Sequence, residues 1–323
     1  MRDAFASKLM QLGESDPRIF LVTGDLGFGV FEKFAKKCPS QFLNVGVAEQ
    51  NMTGVAVGLA LEGRIVFNYS IANFSTLRCL EQIRNDICHH RVNVNVVSMG
   101  GGFSYGSLGI SHHATEDLGV MRTLPNMTIV APGDLWEVQQ ATQAIVNIDG
   151  PCYFRIDKTN AGFTQRPNEV FEIGKARRLV EGNELTLVCI GGILSVVLRA
   201  AEKLREVGLQ CRVVSMHTLK PLDQIEIFDA VKNTGGILTV EEHTVEGGLG
   251  GAVAETCLDN GIIPRCFKRI GLREGFSSIA GTQEYLRQQF GMDEASIVSA
   301  AQKLLIKNSK KSDADSLKDE KVI

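Results

Sequence analysis

Short apolar runs rich in β-branched residues alternate with helix-like stretches along the first half of the chain. Residues 19–23, 42–45 and 92–97 are three such runs. Between them, residues 53–61 are rich in Ala, Val, Leu and Gly, and residues 76–89 carry apolar side chains at helical spacing. Strands separated by helices favour a parallel sheet that is covered on both faces. Because the alternation resumes in the second half, the sequence predicts an α/β fold of two domains, each a mostly parallel sheet with helices on both faces.

Two polar stretches, one between the apolar regions and one at the end of the sequence, divide the chain. They predict a first domain over residues 1–165, a linker over 166–183, a second domain over 184–307 and a tail over 308–323. The linker region loses the apolar periodicity and contains Pro167. The tail is mostly Lys, Ser, Asp and Glu. It is too poor in apolar groups to pack, so we expect it to be disordered.

The composition argues against several classes of function. Of the 323 residues, 44% are hydrophobic and 22% are charged, and the formal net charge is -3. These values are ordinary for a globular protein and provide no basic field for nucleic acid. No apolar stretch reaches the length of a membrane span, and the N-terminus lacks the apolar core of a signal peptide. We therefore expect a cytoplasmic protein that binds neither nucleic acid nor a membrane.

The eight cysteines and six histidines show no spacing typical of metal ligands. No two cysteines form a C-x-x-C pair, and most stand in apolar runs, which is typical of buried thiols in a chain of this size. His89-His90 and His112-His113 are adjacent pairs, and neighbouring side chains on a strand or a helix point apart. We therefore expect neither a disulfide framework nor a metal site.

The run VGVAEQNM, residues 45–52, places one carboxyl among small and apolar residues. It stands where a predicted strand ends and a helix begins. A carboxyl that is removed from water tends to keep its proton, which would suit Glu49 to hold or give a proton. The alternative is an acid that the helix dipole favours at a helix N-terminus.

This run resembles the A-E-Q-N/H segment in the pyrimidine-binding domain of transketolases. Further segments follow in that family's order: TGDL at 23–26, ED at 116–117, LPNM at 124–127, APGD at 131–134, KPLD at 220–223 and GGLG at 247–250. The resemblance extends over residues 1–305. It implies that residues 1–165 form the pyrimidine-binding domain and residues 184–307 the transketolase C-terminal domain.

The resemblance implies thiamine diphosphate as the cofactor, with Glu49 facing N1′ of its aminopyrimidine ring. A carboxyl there helps the 4′-nitrogen to remove a proton from the thiazolium ring. Phe74 is the first candidate for the stacking aromatic and Tyr69 the second, because the family's aromatic aligns either with Thr76 or, across a short insertion, with Phe74. Asp25 matches an acidic residue near the thiazolium, and capping of the following helix is an equal alternative.

On the substrate side, the family pattern D-G-x-T-H-Q matches LGISHH, residues 108–113. His112 falls on the family's histidine and would exchange protons with the substrate. Leu108 replaces an aspartate that contacts a donor hydroxyl, and Gly100-Gly101-Gly102 stands where ketose-phosphate enzymes have a second histidine. His113 takes the place of the glutamine and is a candidate replacement contact to the substrate.

Lys158 lies near the position of an arginine that grips the substrate phosphate in the family, and Arg155 is nearby. A lysine binds phosphate as a point charge without bidentate geometry. The alternative is a solvated lysine of a linker. The sequence therefore leaves open whether the substrate is phosphorylated, and it favours a specialised carbohydrate pathway.

The sequence contains no G-D-G…N motif, which in the family holds the diphosphate and its divalent metal. We therefore expect a separately encoded N-terminal transketolase subunit. That partner would bind the diphosphate together with Mg²⁺ or Ca²⁺, and two copies of each chain would form an α2β2 assembly.

The predicted function is that of a transketolase subunit, which moves a two-carbon ketol unit from a ketose or ketose phosphate to an aldehyde. One alternative is a subunit of a decarboxylating 2-oxo-acid enzyme, similar to deoxyxylulose-phosphate synthase or to the beta subunit of the 2-oxo-acid dehydrogenases. Release of carbon dioxide from pyruvate would favour that alternative. The other alternative is a non-catalytic scaffold subunit, against which the retention of Glu49 and His112 argues.

Overall fold

A computed structural model of the chain describes residues 1–158, 162–273 and 275–319, with side chains as far as Ile306. Its strands are β1 (Ile19–Thr23), β2 (Phe42–Asn44), β3 (Ile65–Ile71), β4 (Val94–Met99), β5 (Thr128–Val130), β6 (Cys152–Ile156), β7 (Arg177–Val180), β8 (Leu185–Ile190), β9 (Cys211–Ser215), β10 (Thr218–Lys220), β11 (Ile237–Thr244) and β12 (Phe267–Leu272).

The α-helices are α1 (Arg2–Ser15), α2 (Glu32–Lys37), α3 (Glu49–Leu61), α4 (Ala72–Ser75), α5 (Leu80–Gln82), α6 (Asp117–Arg122), α7 (Leu135–Ile145), α8 (Leu194–Glu206), α9 (Gln224–Asn233), α10 (Leu249–Asp259), α11 (Gln283–Gln289) and α12 (Glu294–Asp319). A π-helical segment, Ile83–Cys88, follows α5 directly. Segments of this kind occur often at functional sites.

The strands form two sheets. The order is β10-β5-β6-β4-β3-β1-β2 in the first sheet and β12-β11-β8-β9-β7 in the second. Neighbouring strands run parallel, except that β10 is antiparallel to β5 and β7 is antiparallel to β9. The predicted α/β fold with two mostly parallel sheets is thus confirmed.

Burial on both faces accounts for the composition of the central strands. Every residue of β4 and β6 is buried, as in parallel sheets that helices cover on both sides. Phe67 of β3 packs in a cluster with Phe5 of α1, whereas the adjacent Val66 packs in a second cluster with Met52 of α3. Because successive side chains of a strand point to opposite faces, the two clusters lie on opposite sides of the first sheet.

The carboxyl ends of the parallel strands position the candidate site. The segments that follow β1, β2, β3 and β4 carry Asp25, Glu49, Phe74 and His112, in that order. Parallel strands end at the same edge of a sheet, and this edge is where open α/β sheets bind their ligands.

Strand β10 joins the two domains. It follows β9 of the second sheet in the chain, yet Thr218 pairs with Val130 of β5 at the edge of the first sheet. The ammonium of Lys220 donates to the carbonyls of Arg122, at 3.0 Å, and Leu124, at 2.7 Å. The second half of the chain therefore completes the first sheet.

Helix α12 differs from the sequence-based expectation. The sequence predicts that the last helix ends near Lys307, but the structure continues it to Asp319, and residues 320–323 of the predicted tail lie outside the described residues. A lack of apolar groups argues against packing on a core, whereas the backbone hydrogen bonds of a helix need no such groups.

Within the described ranges, no helix combines the length and the apolar character that crossing a bilayer requires.

Candidate active site

Glu49 is the first residue of α3, and its side chain is buried, with only 2% of it exposed. The Ser70 hydroxyl of β3 donates to one carboxylate oxygen at 3.3 Å. Nη1 of Arg78 donates to the other oxygen at 2.6 Å, while the Arg78 side chain is 44% exposed. The sequence predicted a carboxyl poised to hold a proton. The structure adds a cationic partner, the guanidinium of Arg78, to this carboxyl.

The ring of Phe74 forms the second wall of this pocket. Phe74 lies in α4 and is half-buried, with one face covered by the guanidinium of Arg78, whose Cζ is 4.4 Å from the ring centroid. A planar group therefore lies on the ring while it bonds to Glu49. Thr76, the alternative in the alignment, is buried and donates its hydroxyl to the carbonyl of Ala72. The geometry thus favours Phe74 as the stacking residue.

Tyr69, the second predicted stacking residue, lies on the wrong side of the sheet. Its ring packs against Phe31, at 4.7 Å between centroids, and Phe5, at 6.2 Å. The next residue, Ser70, points to Glu49, and successive side chains of a strand face opposite sides. Burial raises the pKa of Tyr69 above its ordinary value. Tyr69 is therefore a core residue, and this correction follows from strand parity.

Asp25 lies in the turn after β1, with a left-handed backbone at φ 58°. Its N–H donates to the side-chain oxygen of Asn44, and the Asn44 amide donates back to the Asp25 carboxylate at 3.0 Å. The next helix, α2, begins only at Glu32 and has no side-chain cap. The capping alternative is therefore wrong, and Asp25 instead joins the turns that follow β1 and β2.

His112 lies across from Phe74 in the loop that follows β4. The ring centroids of His112 and Phe74 are 5.2 Å apart, and those of His112 and Tyr105 are 6.2 Å apart. Nδ1 of His112 lies 2.9 Å from the hydroxyl of Ser111. Burial, with a smaller contribution from His113, lowers the pKa of His112 below its ordinary value. A neutral imidazole next to the pocket of Glu49 can accept and return a proton.

The predicted substrate contact of His113 is not supported. Its side chain is buried, and Nε2 donates to the carbonyl of Gly106 at 3.0 Å. The ring packs edge-on against Phe103, at 5.4 Å between centroids. His113 therefore packs inside the loop, whereas its neighbour His112 is only partly buried next to Phe74.

The three glycines before this loop make room for large side chains. Gly100 has a φ of 88°, and the Tyr105 ring occupies the space that a side chain at position 100 would fill. Arg155 takes the corresponding space at Gly101. Burial raises the pKa of Tyr105. A phenol therefore fills the volume for which the resemblance implied a histidine.

Lys158 lies next to Tyr105. It is exposed, and its ammonium is 4.9 Å from the centroid of the Tyr105 ring. Arg155 cannot serve a ligand because it is buried in an ion pair with Asp117, at 3.2 Å.

Within the described part of the chain, no cluster of three or more His, Cys, Asp or Glu residues could hold a metal ion.

A continuous row of contacts joins the predicted residues Glu49, Phe74, His112 and Lys158 through Arg78 and Tyr105. Sequence reasoning missed Arg78, although it lies four residues after Phe74 in a helical region, a spacing that brings side chains together. It also missed Ser70 and Asn44. Their partners lie 21 and 19 residues away in the sequence, where no periodic signal operates.

Comparison with known proteins accounts for both domains. The model of the transketolase pyrimidine-binding domain matches residues 1–164, and that of the transketolase C-terminal domain matches residues 174–297. Over 302 residues the chain is 34% identical to a 6-deoxy-6-sulfo-D-fructose transketolase subunit of Clostridium sp. strain MSTE9, with 93% of each chain covered. An apulose-4-phosphate transketolase subunit of Phocaeicola vulgatus is 35% identical over 93% of this chain and 96% of its own.

A solved structure shows the same likeness in three dimensions. It is described as a split-gene transketolase in an inactive beta4 tetramer, and it is 36% identical to this chain. The TM-score is 0.85, with 94% of this chain and 97% of that chain covered. The chain therefore belongs to the transketolase family and spans its pyrimidine-binding and C-terminal domains.

Proposed function

We propose that this chain is a subunit of a thiamine-diphosphate-dependent transketolase that transfers a two-carbon ketol unit from a ketose to an aldehyde. One observation carries the proposal. A buried carboxylate at the start of α3, Glu49, faces a half-buried aromatic ring, Phe74, across a gap that a flat cation fills. Family membership implies thiamine diphosphate, and two related transketolase subunits match this chain over nearly their whole length.

The pocket fits the aminopyrimidine end of this cofactor. A flat heterocycle needs an aromatic surface and a carboxyl in the plane of its ring nitrogen, and Arg78 already uses Phe74 and Glu49 in this way. The guanidinium serves as a stand-in, because it is planar and donates N–H groups as the protonated ring would. The buried surroundings of Glu49 strengthen any hydrogen bond that forms there.

In the proposed mechanism, the bound cofactor supplies the carbon nucleophile that takes up the ketol unit. Glu49 would hold the aminopyrimidine at its ring nitrogen N1′ and exchange a proton with that atom. The Ser70 hydroxyl orients the Glu49 carboxyl from β3. His112 moves a proton to and from the oxygen atoms of the substrate. The rings of Phe74 and Tyr105 both pack against His112 and would limit its contact with water.

We further propose a partner subunit that holds the diphosphate and its Mg²⁺ or Ca²⁺, in an α2β2 assembly. The two relatives are themselves named as subunits, and the similar solved structure is a split-gene enzyme that is inactive as a beta4 tetramer. Those descriptions support the view that a chain of this kind needs another polypeptide for activity.

The exposed ammonium of Lys158 favours a substrate with an anionic group at the end distant from the reacting carbon. The sugars in the names of the two relatives carry a sulfo group and a phosphate. Both groups accept hydrogen bonds from an ammonium. We therefore propose an anionic sugar as the donor. The decarboxylating alternative predicts release of carbon dioxide from pyruvate. An activity assay with pyruvate in place of the sugar donor therefore distinguishes the two reactions.

The test is Glu49→Gln in the enzyme assembled from this chain and its co-expressed partner. Exchange of the thiazolium C2 proton with deuterium, followed by NMR, should slow to nearly the rate of free cofactor in the variant. The loss should reach about 10²–10⁴-fold, the usual contribution of a positioned proton-transfer group. Glu62→Gln, at the exposed end of the same helix, is the matched control and should exchange as fast as the wild type. Unimpaired exchange in Glu49→Gln would remove Glu49 from the mechanism.

A further inference from the structure

The guanidinium of Arg78 occupies a defined position between two functional groups. One Nη atom bonds to the carboxylate of Glu49 at 2.6 Å, and the central carbon lies 4.4 Å from the centroid of the Phe74 ring. These are the two contacts that the proposed function assigns to the aminopyrimidine of thiamine diphosphate. A pyrimidine that took this face of Phe74 and this oxygen of Glu49 would exclude the arginine, because neither can serve both groups at once.

The backbone of Arg78 is fixed, whereas its side chain can leave. The amide of Gln50 donates to the carbonyl of Arg78 at 3.1 Å, and residues Leu77–Cys79 form a 3-10 turn. The side chain itself is 44% exposed, so it can swing into solvent without opening the core. Glu49, by contrast, is only 2% exposed and cannot follow.

A cationic partner stabilises a buried carboxylate, and its removal alone is costly. Arg78 provides this partner while the cation–π contact holds the guanidinium flat on Phe74. We propose that Arg78 is a resident occupant of the pyrimidine pocket, which pairs Glu49 in the cofactor-free subunit and must be displaced when thiamine diphosphate binds. This inference rests on the proposed function. It implies that cofactor affinity is reduced by a built-in competitor.

The test compares Arg78→Ala with Arg84→Ala. Arg84 is an exposed arginine of the neighbouring π-helical segment whose side chain bonds to Asn85 instead of Glu49. Two quantities are measured: the melting temperature of the full chain without cofactor, and the dissociation constant of thiamine diphosphate with Mg²⁺ for the assembled enzyme, by circular dichroism titration. We expect Arg78→Ala to lower the melting temperature by about 2–4 °C and to tighten cofactor binding about tenfold. Arg84→Ala should change neither.

Removal of a competitor should change the two quantities in opposite directions, because it lowers the melting temperature but tightens cofactor binding. Removal of a purely structural side chain would instead weaken both stability and binding. Arg78→Lys keeps the charge but loses the flat surface, so it should be nearly as stable as the wild type and bind the cofactor more tightly than it. This variant preserves the test if Arg78→Ala does not fold. Unchanged or weaker cofactor binding in both variants would overturn the inference, as would a cofactor complex with Arg78 still on Glu49. If the assembled wild-type enzyme does not bind thiamine diphosphate at all, the proposed function fails instead.

Discussion

At the scale of single residues, His112 shows how its neighbours prepare a side chain for proton transfer. The Ser111 hydroxyl lies 2.9 Å from Nδ1, which leaves Nε2 free of that contact. The rings of Phe74 and Tyr105 pack against the imidazole. Burial lowers the pKa of His112, so the neutral, proton-accepting form persists below the ordinary value of 6.5. On the acid side of the pH–rate profile, the rate should therefore begin to fall only below pH 6.5, as far as it depends on this residue.

His112→Gln should lower the turnover of the assembled enzyme by about 10²–10⁴-fold, because a positioned acid–base group is lost. Exchange of the thiazolium proton should remain at the wild-type rate, since that step depends on Glu49. The acid limb of the rate profile should also disappear in the variant. Steady-state kinetics and exchange, measured from pH 5 to 8, check these outcomes. His89→Gln, on an exposed histidine, is the control. A parallel loss of exchange and turnover would assign His112 to cofactor binding.

The sequence could identify individual residues better than their pairings. Glu49, Phe74 and His112 were predicted, and the structure brings them into one pocket. Tyr69 and His113 were predicted for the same pocket but face the core. Their assignment depends on which of two adjacent side chains points inward. Strand β3 is buried on both faces, so no alternation of polar and apolar residues shows the direction of Tyr69.

At the scale of elements, Glu241 of β11 caps the N-terminus of helix α10. Its two carboxylate oxygens accept from the backbone N–H groups of Leu249, at 2.6 Å, and Gly250, at 2.8 Å. A Cβ at Gly248 would collide with this carboxylate, which explains why a glycine precedes the helix. The glycine-rich segment therefore allows a strand acid to approach a helix N-terminus. Burial nevertheless raises the pKa of Glu241 to about 7.

This raised pKa makes stability depend on pH. The native chain holds the proton of Glu241 more tightly than the unfolded chain, whose value is near 4.5. The free energy of unfolding should therefore fall as the pH rises from 4.5 to about 7, by on the order of 3 kcal/mol from this group. Glu241→Gln should flatten that part of the curve, as measured by urea denaturation at several pH values. Glu284→Gln, on an exposed acid in α11, should keep the wild-type slope. An unchanged slope in Glu241→Gln would contradict the prediction.

Secondary-structure elements could be predicted where they carry a repeating pattern. The apolar runs of β1, β4 and β6 are long enough to show burial on both faces, and the structure forms strands there. Strand β10 is three residues long and antiparallel, and its partner β5 lies in the other domain. Only the packed molecule determines such an edge pairing, so no local signal reveals it.

At the scale of the whole molecule, Glu242 connects the second domain to the predicted substrate loop, residues 102–113, which carries His112. Its buried carboxylate accepts from the backbone N–H of Phe103 at 2.5 Å, and from the side chains of Gln283, at 2.8 Å, and Arg287, at 2.5 Å. A Cβ at Gly102 would collide with the same carboxylate. The loop that carries His112 is thus held by a strand and a helix of the other domain.

Glu242→Ala should therefore act on both stability and the loop. It leaves the buried Arg287 cation without its partner and the N–H of Phe103 unpaired, which together should cost about 3–5 kcal/mol. Amide hydrogen exchange should accelerate in residues 102–106, and the two domains should unfold in separate transitions. Mass spectrometry of exchange and calorimetry measure these effects. Glu246→Ala removes an exposed acid from the next turn of chain and should leave both unchanged. If Glu242→Ala lowered stability but left loop exchange at the wild-type rate, the second domain would stabilise the first without positioning its substrate loop.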